Sequence, residues 1–118
     1  ADDKEVDIAC VAGVLRLPIE IKGQWHSQLW IGADRQLDEL YTTDWRAEKR
    51  GIYLVLWFGS SVPKVKQITG PGRGVGRPET PEQLCSMLIE RSQSALEGRV
   101  SVVVLDLTQE SALEKGAH

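Results

Sequence analysis

The feature that most constrains the fold of this chain is a nearly uninterrupted apolar run from Gly51 to Phe58. A run of this length, which follows charged residues and begins at a glycine, is typical of a strand in the interior of a sheet. We therefore expect residues 51–58 to form a central strand that is covered on both faces.

A second β-rich run at residues 100–107 pairs naturally with this strand. Between the two, Thr80 is a suitable helix cap, Pro81 suits the first helical position, and Gly98 suits the helix end. Strand, helix and strand predict a βαβ unit with parallel strands and a right-handed crossover.

The beginning of the chain predicts a β-hairpin formed by residues 6–11 and 15–22. The intervening Gly13-Val14 suits a two-residue primed turn. In the register that this turn sets, Ala12 lies opposite Leu15. Asp7 then lies opposite Glu20, and opposite residues share a face of the sheet.

Strand alternation in the second arm of the hairpin separates its apolar and charged residues. Ile19 and Ile21 point to one face, where we expect apolar packing, while Glu20 and Lys22 point to the other. Taken alone, Glu20 and Lys22 could be an ion pair on the solvated face of an edge strand.

With Asp7 included, two carboxylates and a lysine converge on one patch. Carboxylates held close together require a proton or a cation between them. Oxygen ligands, to which the carbonyl of Ile21 could add, suit a hard ion such as Mg²⁺. Lys22 could orient or deprotonate an attacking water, or neutralise charge that develops on phosphorus.

Asp7 followed on the next strand by Glu20-Ile21-Lys22 resembles the PD-(D/E)xK nuclease superfamily, which has the restriction-endonuclease-like fold. The resemblance implies that Asp7 and Glu20 bind Mg²⁺, or alternatively Mn²⁺, and that Lys22 assists the nucleophilic water. Val6 stands where the motif often has proline. The acid that the family often carries on a preceding helix has no counterpart unless it is Asp2, Asp3 or Glu5.

Apolar residues at helical spacing predict a helix from the cap Ser27 to Tyr41. Gln36 lies near its inward stripe, and many nucleases of the resembled fold carry a glutamine, sometimes with a tyrosine, on this helix behind the active site. By that resemblance Gln36 is a catalytic candidate and Tyr41 is its possible companion. The alternatives are that Gln36 lies at the helix edge and that Tyr41 is a core residue.

Candidate nucleic-acid-binding residues occur in two places. Trp25, which could stack on a base, and His26, which could contact phosphate, directly follow the motif strand. Their alternative role is structural. The glycine-rich loop 59–78 has no acidic residue and is either a solvated linker or a surface for the substrate backbone. Its four cationic candidates are Lys64, Lys66, Arg73 and Arg77.

Length and charge limit the class of protein. The 118 residues suffice for one domain, which we expect over residues 1–108, with a polar tail at 109–118. The net charge of −3 argues against a wholly basic nucleic-acid binder. Cys10 and Cys85 lack metal-binding spacing and suit a reducing compartment.

No signal peptide or membrane span is apparent, so we expect a cytoplasmic location and no membrane partner. The chain begins without methionine, which suggests a domain of a longer protein whose other domains are its partners.

These observations predict an α/β fold with a mixed central sheet flanked by helices, in the order hairpin, helix, strand, helix, strand. The resemblance, which spans roughly residues 5–107, implies a restriction-endonuclease-like core and a Mg²⁺-dependent deoxyribonuclease, expected to be an endonuclease acting on DNA. One alternative is a catalytically inactive module of the same fold that binds nucleic acid or protein. Another is a nucleotide-binding α/β domain that uses the glycine loop. Whether the protein forms a homodimer stays open.

Overall fold

A computed structural model describes the backbone of residues 8–12, 15–38 and 50–108, with the side chains of 17–35 and 50–108. The described part is a mixed α/β fold whose sheet has the strand order β1-β2-β3-β4. β1 and β2 are antiparallel, whereas β2, β3 and β4 run parallel to one another. The strands are β1 (Ile8–Ala12), β2 (Leu15–Gly23), β3 (Gly51–Trp57) and β4 (Val100–Asp106).

The hairpin has the predicted register. Ala12 pairs with Leu15 and Ile8 with Ile19. Pairing of β2 with β3 begins only at Ile19, one residue after Pro18. Pro18, which lacks an amide hydrogen, therefore lies outside the β2–β3 ladder, so it leaves no β3 acceptor unsatisfied.

β3 is central, as predicted, and the helix that follows it leads to a parallel β4, which confirms the βαβ pairing. Side chains of β3 alternate between buried and half-buried. On the buried face, Tyr53, Val55 and Trp57 form a core with residues of the described helices and loops and of β4. The other members of that core are Leu29, Ala33, Ile68, Leu84, Leu88 and Val100. The opposite face of β3 is only half-buried, so the expectation of complete cover on both faces is too strong for the described residues.

The continuous helix predicted from Ser27 is wrong over its described part. Residues 24–31 form turns, and a π-helix follows at Ala33–Asp38. The Tyr53 hydroxyl donates a hydrogen bond of 2.6 Å to the Leu29 carbonyl, which an α-helix would use internally. Gly32 permits this approach, because a Cβ built there would lie 2.5 Å from the Tyr53 oxygen. A contact from a distant strand thus replaces local helix bonding.

The helix predicted between Thr80 and Gly98 is divided into α1 (Pro81–Glu90) and α2 (Gln93–Leu96). The predicted cap is present, since the Thr80 hydroxyl accepts from the Gln83 amide, and Gly98 has the positive φ that suits a helix end. The division occurs at Ser92, whose side chain caps α2.

The carboxylate of Asp34, in the π-helix, explains the division between α1 and α2. It accepts hydrogen bonds from the Ser92 hydroxyl at 2.7 Å, the Gln93 amide at 3.2 Å and the Ser94 amide at 3.1 Å, and also from the Ser94 hydroxyl. Burial alone would raise the pKa of Asp34, but these hydrogen bonds outweigh it and lower the pKa below its ordinary value of 3.8. The break in the helix exposes the amides that satisfy this carboxylate.

Replacing Asp34 by asparagine is expected to lower the free energy of unfolding by about 1–2 kcal/mol at neutral pH. Because the folded-state pKa of Asp34 is depressed, the stabilisation is complete above 3.8 and is lost as pH falls through that lower pKa. Urea unfolding of both proteins across this range measures the gap, with Glu90→Gln on the exposed face of α1 as the control. A gap that stays constant as the pH falls would show that the charge of Asp34 does not matter.

Candidate functional site

Glu20 and Lys22 lie together on the buried face of β2. Only 4% of Glu20 and 7% of Lys22 is exposed, and Lys22 Nζ lies 3.1 Å from Glu20 Oε2. β2 is an internal strand, so the alternative of a solvated pair on an edge strand is wrong. Ile19 and Ile21 are only half-buried on the opposite face. The face expected to hold the apolar packing is therefore the less buried one, and the charged pair points into the core.

The surroundings of this pair are mostly apolar. Across the sheet, Glu20 is in register with Tyr53 and Lys22 with Val55, and both partners are fully buried. Burial first, and the charge of Glu20 second, raise the pKa of Tyr53 well above its usual value, so the phenol stays protonated and remains a donor. Removing two charges from water costs several kcal/mol per ion, which their mutual attraction offsets only in part.

The other candidate catalytic and metal-binding residues are described incompletely. Asp7 and Tyr41 lie outside the described residues. The backbone of Gln36 lies in the π-helix, but its side chain falls outside the described part, and Ile21 pairs with Leu54 of β3. Within the described residues, no group of three or more His, Cys, Asp or Glu side chains could hold a metal ion. Completion of the expected site therefore depends on Asp7.

Gln24 is a further buried polar residue that the sequence analysis did not single out. Its side-chain nitrogen donates to the carbonyls of Gly59 at 2.8 Å and Lys66 at 3.0 Å, and its oxygen accepts from the Phe58 amide at 2.6 Å. These bonds join the end of β2 to the loop after β3. Strand alternation could have identified it, because Gln24 is two residues after Lys22 and four after Glu20. All three side chains are buried on the same face.

Trp25 and Lys66, two candidates from distant parts of the sequence, are in contact. Lys66 Nζ lies 4.0 Å from the centre of the Trp25 ring, which is a cation–π arrangement, and Phe58 packs at a centroid distance of 5.5 Å. The ring also lies against Gly23, where an added Cβ would be 2.5 Å away. Stacking of a base on Trp25 would therefore have to displace Lys66 if it used the same side of the ring. His26 Nδ1 accepts from the Gln28 amide at 3.0 Å, which orients the imidazole.

The three remaining cationic candidates, Lys64, Arg73 and Arg77, are all exposed on the loop after β3. None of them forms an ion pair with a carboxylate among the residues that the structure describes. A short 3₁₀ helix at Lys64–Lys66 gives the first part of the loop a defined backbone. The loop is thus an anchored, positively charged surface rather than an unattached linker, because Gln24 and Trp30 bond to its carbonyls.

Comparison with known protein families gives a match to the first part of the chain. Residues 3–60, just under half of the chain, are similar to a family described as a domain of unknown function (DUF8371). This segment contains Asp7, Glu20, Lys22 and Gln36 and ends three residues after β3. No curated protein and no solved structure matches. Among the described residues, none of the helices has the length and apolar character needed to cross a membrane.

Proposed function

We propose that this domain is a divalent-metal-dependent nuclease with a restriction-endonuclease-like core, which hydrolyses phosphodiester bonds of DNA. The observation that carries the proposal is the position of Glu20 and Lys22, side by side on the buried face of an internal strand. A carboxylate and an ammonium group at core positions are costly to desolvate, so a chemical role would account for their presence there. The order of elements, with a hairpin that carries the motif and then a parallel strand, supports the same proposal.

The donor set fits a hard cation. Glu20, Asp7 and the Ile21 carbonyl offer only oxygen atoms, which Mg²⁺ and Mn²⁺ prefer. When bound, such an ion polarises the scissile phosphate and lowers the pKa of a bound water. Glu20 cannot give Oε2 fully to both a cation and Lys22. Lys22 is therefore expected to turn its ammonium group from Glu20 towards the phosphate or the attacking water, and Gln36 is expected to support the site from the π-helix.

Incubation of the protein with labelled DNA and Mg²⁺ or Mn²⁺ is expected to give cleavage products with 5′-phosphate ends, and EDTA should prevent their formation. Asp7→Asn is expected to reduce the cleavage rate at least 100-fold, because the variant loses a negatively charged ligand. Glu82→Gln, which removes an exposed carboxylate of α1, is the matched control and should cleave at the wild-type rate. Equal rates for Asp7→Asn and the control would contradict the assignment.

A second candidate function is a non-catalytic module that binds nucleic acid or protein. It is favoured by the 3.1 Å contact of Glu20 with Lys22, in which each charge already serves the other as a partner. This candidate predicts DNA retention without cleavage of single-stranded DNA, duplex DNA or RNA under any of the divalent ions tested. Gel-shift and cleavage assays on the same samples therefore separate the two functions.

A further inference from the structure

A groove of about 760 Å³ opens at the carboxyl ends of the parallel strands β3 and β4. Trp57 ends β3, Thr108 follows β4, and the loop between β3 and α1 supplies the other walls. In open α/β sheets, ligands bind in crevices outside the carboxyl ends of the strands. The volume is also within the range of small-molecule sites.

The lining of the groove has two chemically distinct parts. Trp57, Ile68 and Pro78, all buried, give it an apolar floor. Its rim carries the hydroxyl groups of Ser60, Ser61 and Thr108, the carboxamide of Gln67, and the guanidinium group of Arg77. Glu79 is the one carboxylate among the described residues that line the groove. A flat apolar group on the floor and an anion at the rim would satisfy both parts.

The walls are held in place by hydrogen bonds among the lining residues and from neighbours outside the groove. Gln67 donates to the carbonyls of Ser60 and Val62, both at 2.8 Å, and Gln24 donates to the Gly59 carbonyl. At the other wall, Asp106 accepts from the amide and the hydroxyl of Thr108. The groove is therefore formed before any ligand arrives, which lowers the ordering cost of binding.

Arg77 differs from the other cationic residues of the loop. Lys66 is engaged with Trp25, and Lys64 and Arg73 do not line the groove, whereas Arg77 does. Arg77 also forms no ion pair within the described part of the chain, and its side chain packs near Gly70. A guanidinium group that has no carboxylate partner among the described residues, on a loop that contains no acidic residue, is suited to bind a phosphate group.

We propose that this groove binds one nucleotide with a terminal phosphate, the base lying on the apolar floor and the phosphate contacting Arg77. The groove lies on the sheet face that carries the Glu20–Lys22 pair. Val55 is the strand partner of Lys22, and Trp57 lies two residues beyond Val55. Two residues of a strand span about 7 Å. This separation is comparable with that of neighbouring phosphates in an extended strand. Resting on the proposed nuclease function, the groove would thus hold the nucleotide next to the cleavage position.

The proposal is tested by isothermal titration of the protein with deoxyadenosine 5′-monophosphate in EDTA, so that binding is measured without cleavage. Arg77→Ala is expected to weaken binding about tenfold, since a hydrogen bond to a charged group is lost. Arg35→Ala, which removes an exposed arginine of the π-helix outside the groove, should change affinity less than twofold. Glu79→Gln, which removes the lining carboxylate, should tighten binding.

Deoxyadenosine and inorganic phosphate, titrated separately, should each bind at least tenfold more weakly than the nucleotide. Competition experiments distinguish two sources of the ligand. If an oligonucleotide with a 5′-phosphate competes with the nucleotide and its unphosphorylated form does not, the ligand is the end of a strand. If neither oligonucleotide competes, the ligand is a free nucleotide. Absence of nucleotide binding, or equal losses in Arg77→Ala and Arg35→Ala, would overturn the groove assignment. Since no metal or cleavage enters the readout, failure of the nuclease proposal alone leaves Arg77-dependent binding intact.

Discussion

Replacing Lys22 by methionine is expected to lower the free energy of unfolding by about 3–5 kcal/mol and to abolish DNA cleavage. Methionine fills a similar volume, so the loss comes from leaving the Glu20 carboxylate in the core without its partner at 3.1 Å. Urea unfolding followed by circular dichroism measures the stability. The cleavage assay measures activity without urea, at a temperature at which the variant is still folded.

The double variant Glu20→Met/Lys22→Met separates the structural contribution of the pair from its chemical one. With both charges removed, the buried face of β2 becomes apolar like its neighbours Tyr53 and Val55. We expect its stability to return to within about 1 kcal/mol of the wild type or to exceed it, because replacing buried ion pairs by apolar residues is often neutral or stabilising.

A stable but inactive double variant would indicate that the pair is kept for chemistry rather than for folding. If the double variant were as unstable as Lys22→Met, the pair would be a structural element whose loss the core cannot accommodate. If Lys22→Met alone lowered the free energy of unfolding by less than about 1 kcal/mol, the two charges would be solvated, contrary to what their small exposed fractions indicate.

Local patterns were sufficient to predict the hairpin and the parallel β3–β4 pair of the sheet. The Gly13-Val14 dipeptide predicted the pairing of Ala12 with Leu15, which the structure has, and the apolar run at residues 51–58 predicted the central strand. Both features depend on residues close together in sequence, and strand alternation correctly placed Glu20 and Lys22 on one face. What alternation could not decide was which face the helices cover, because the isoleucines made the opposite face look like the core.

The parts that sequence patterns missed depend on contacts across long sequence separations. Apolar spacing predicted a helix from Ser27, but Tyr53 takes the Leu29 carbonyl from 24 residues away. Asp34 likewise divides the helix at Ser92 from 58 residues away. A polar side chain that overrides local propensity leaves no periodic signal, so only the folded arrangement reveals it.

Replacing Gln24 by alanine is expected to lower the free energy of unfolding by about 3–5 kcal/mol, the second large effect. Gln24 is fully buried, and its loss would leave the Phe58 amide and the carbonyls of Gly59 and Lys66 without these hydrogen bonds. Chemical denaturation gives the total cost. Hydrogen exchange of the Phe58 amide gives the local one, since this amide donates to Gln24 Oε1 at 2.6 Å.

Gln67→Ala is the matched control, because Gln67 also donates two hydrogen bonds to carbonyls of the loop, at 2.8 Å each. Gln67 is only half-buried, so water can replace its bonds and the expected cost is about 0.5–1 kcal/mol. Equal losses for the two variants would mean that the loop, rather than burial of the Gln24 carboxamide, sets the cost. A larger loss of stability for Gln24→Ala, with faster hydrogen exchange at the Phe58 amide, would establish that Gln24 attaches the end of β2 to the loop that forms the groove. Nucleotide binding should then weaken in the same variant.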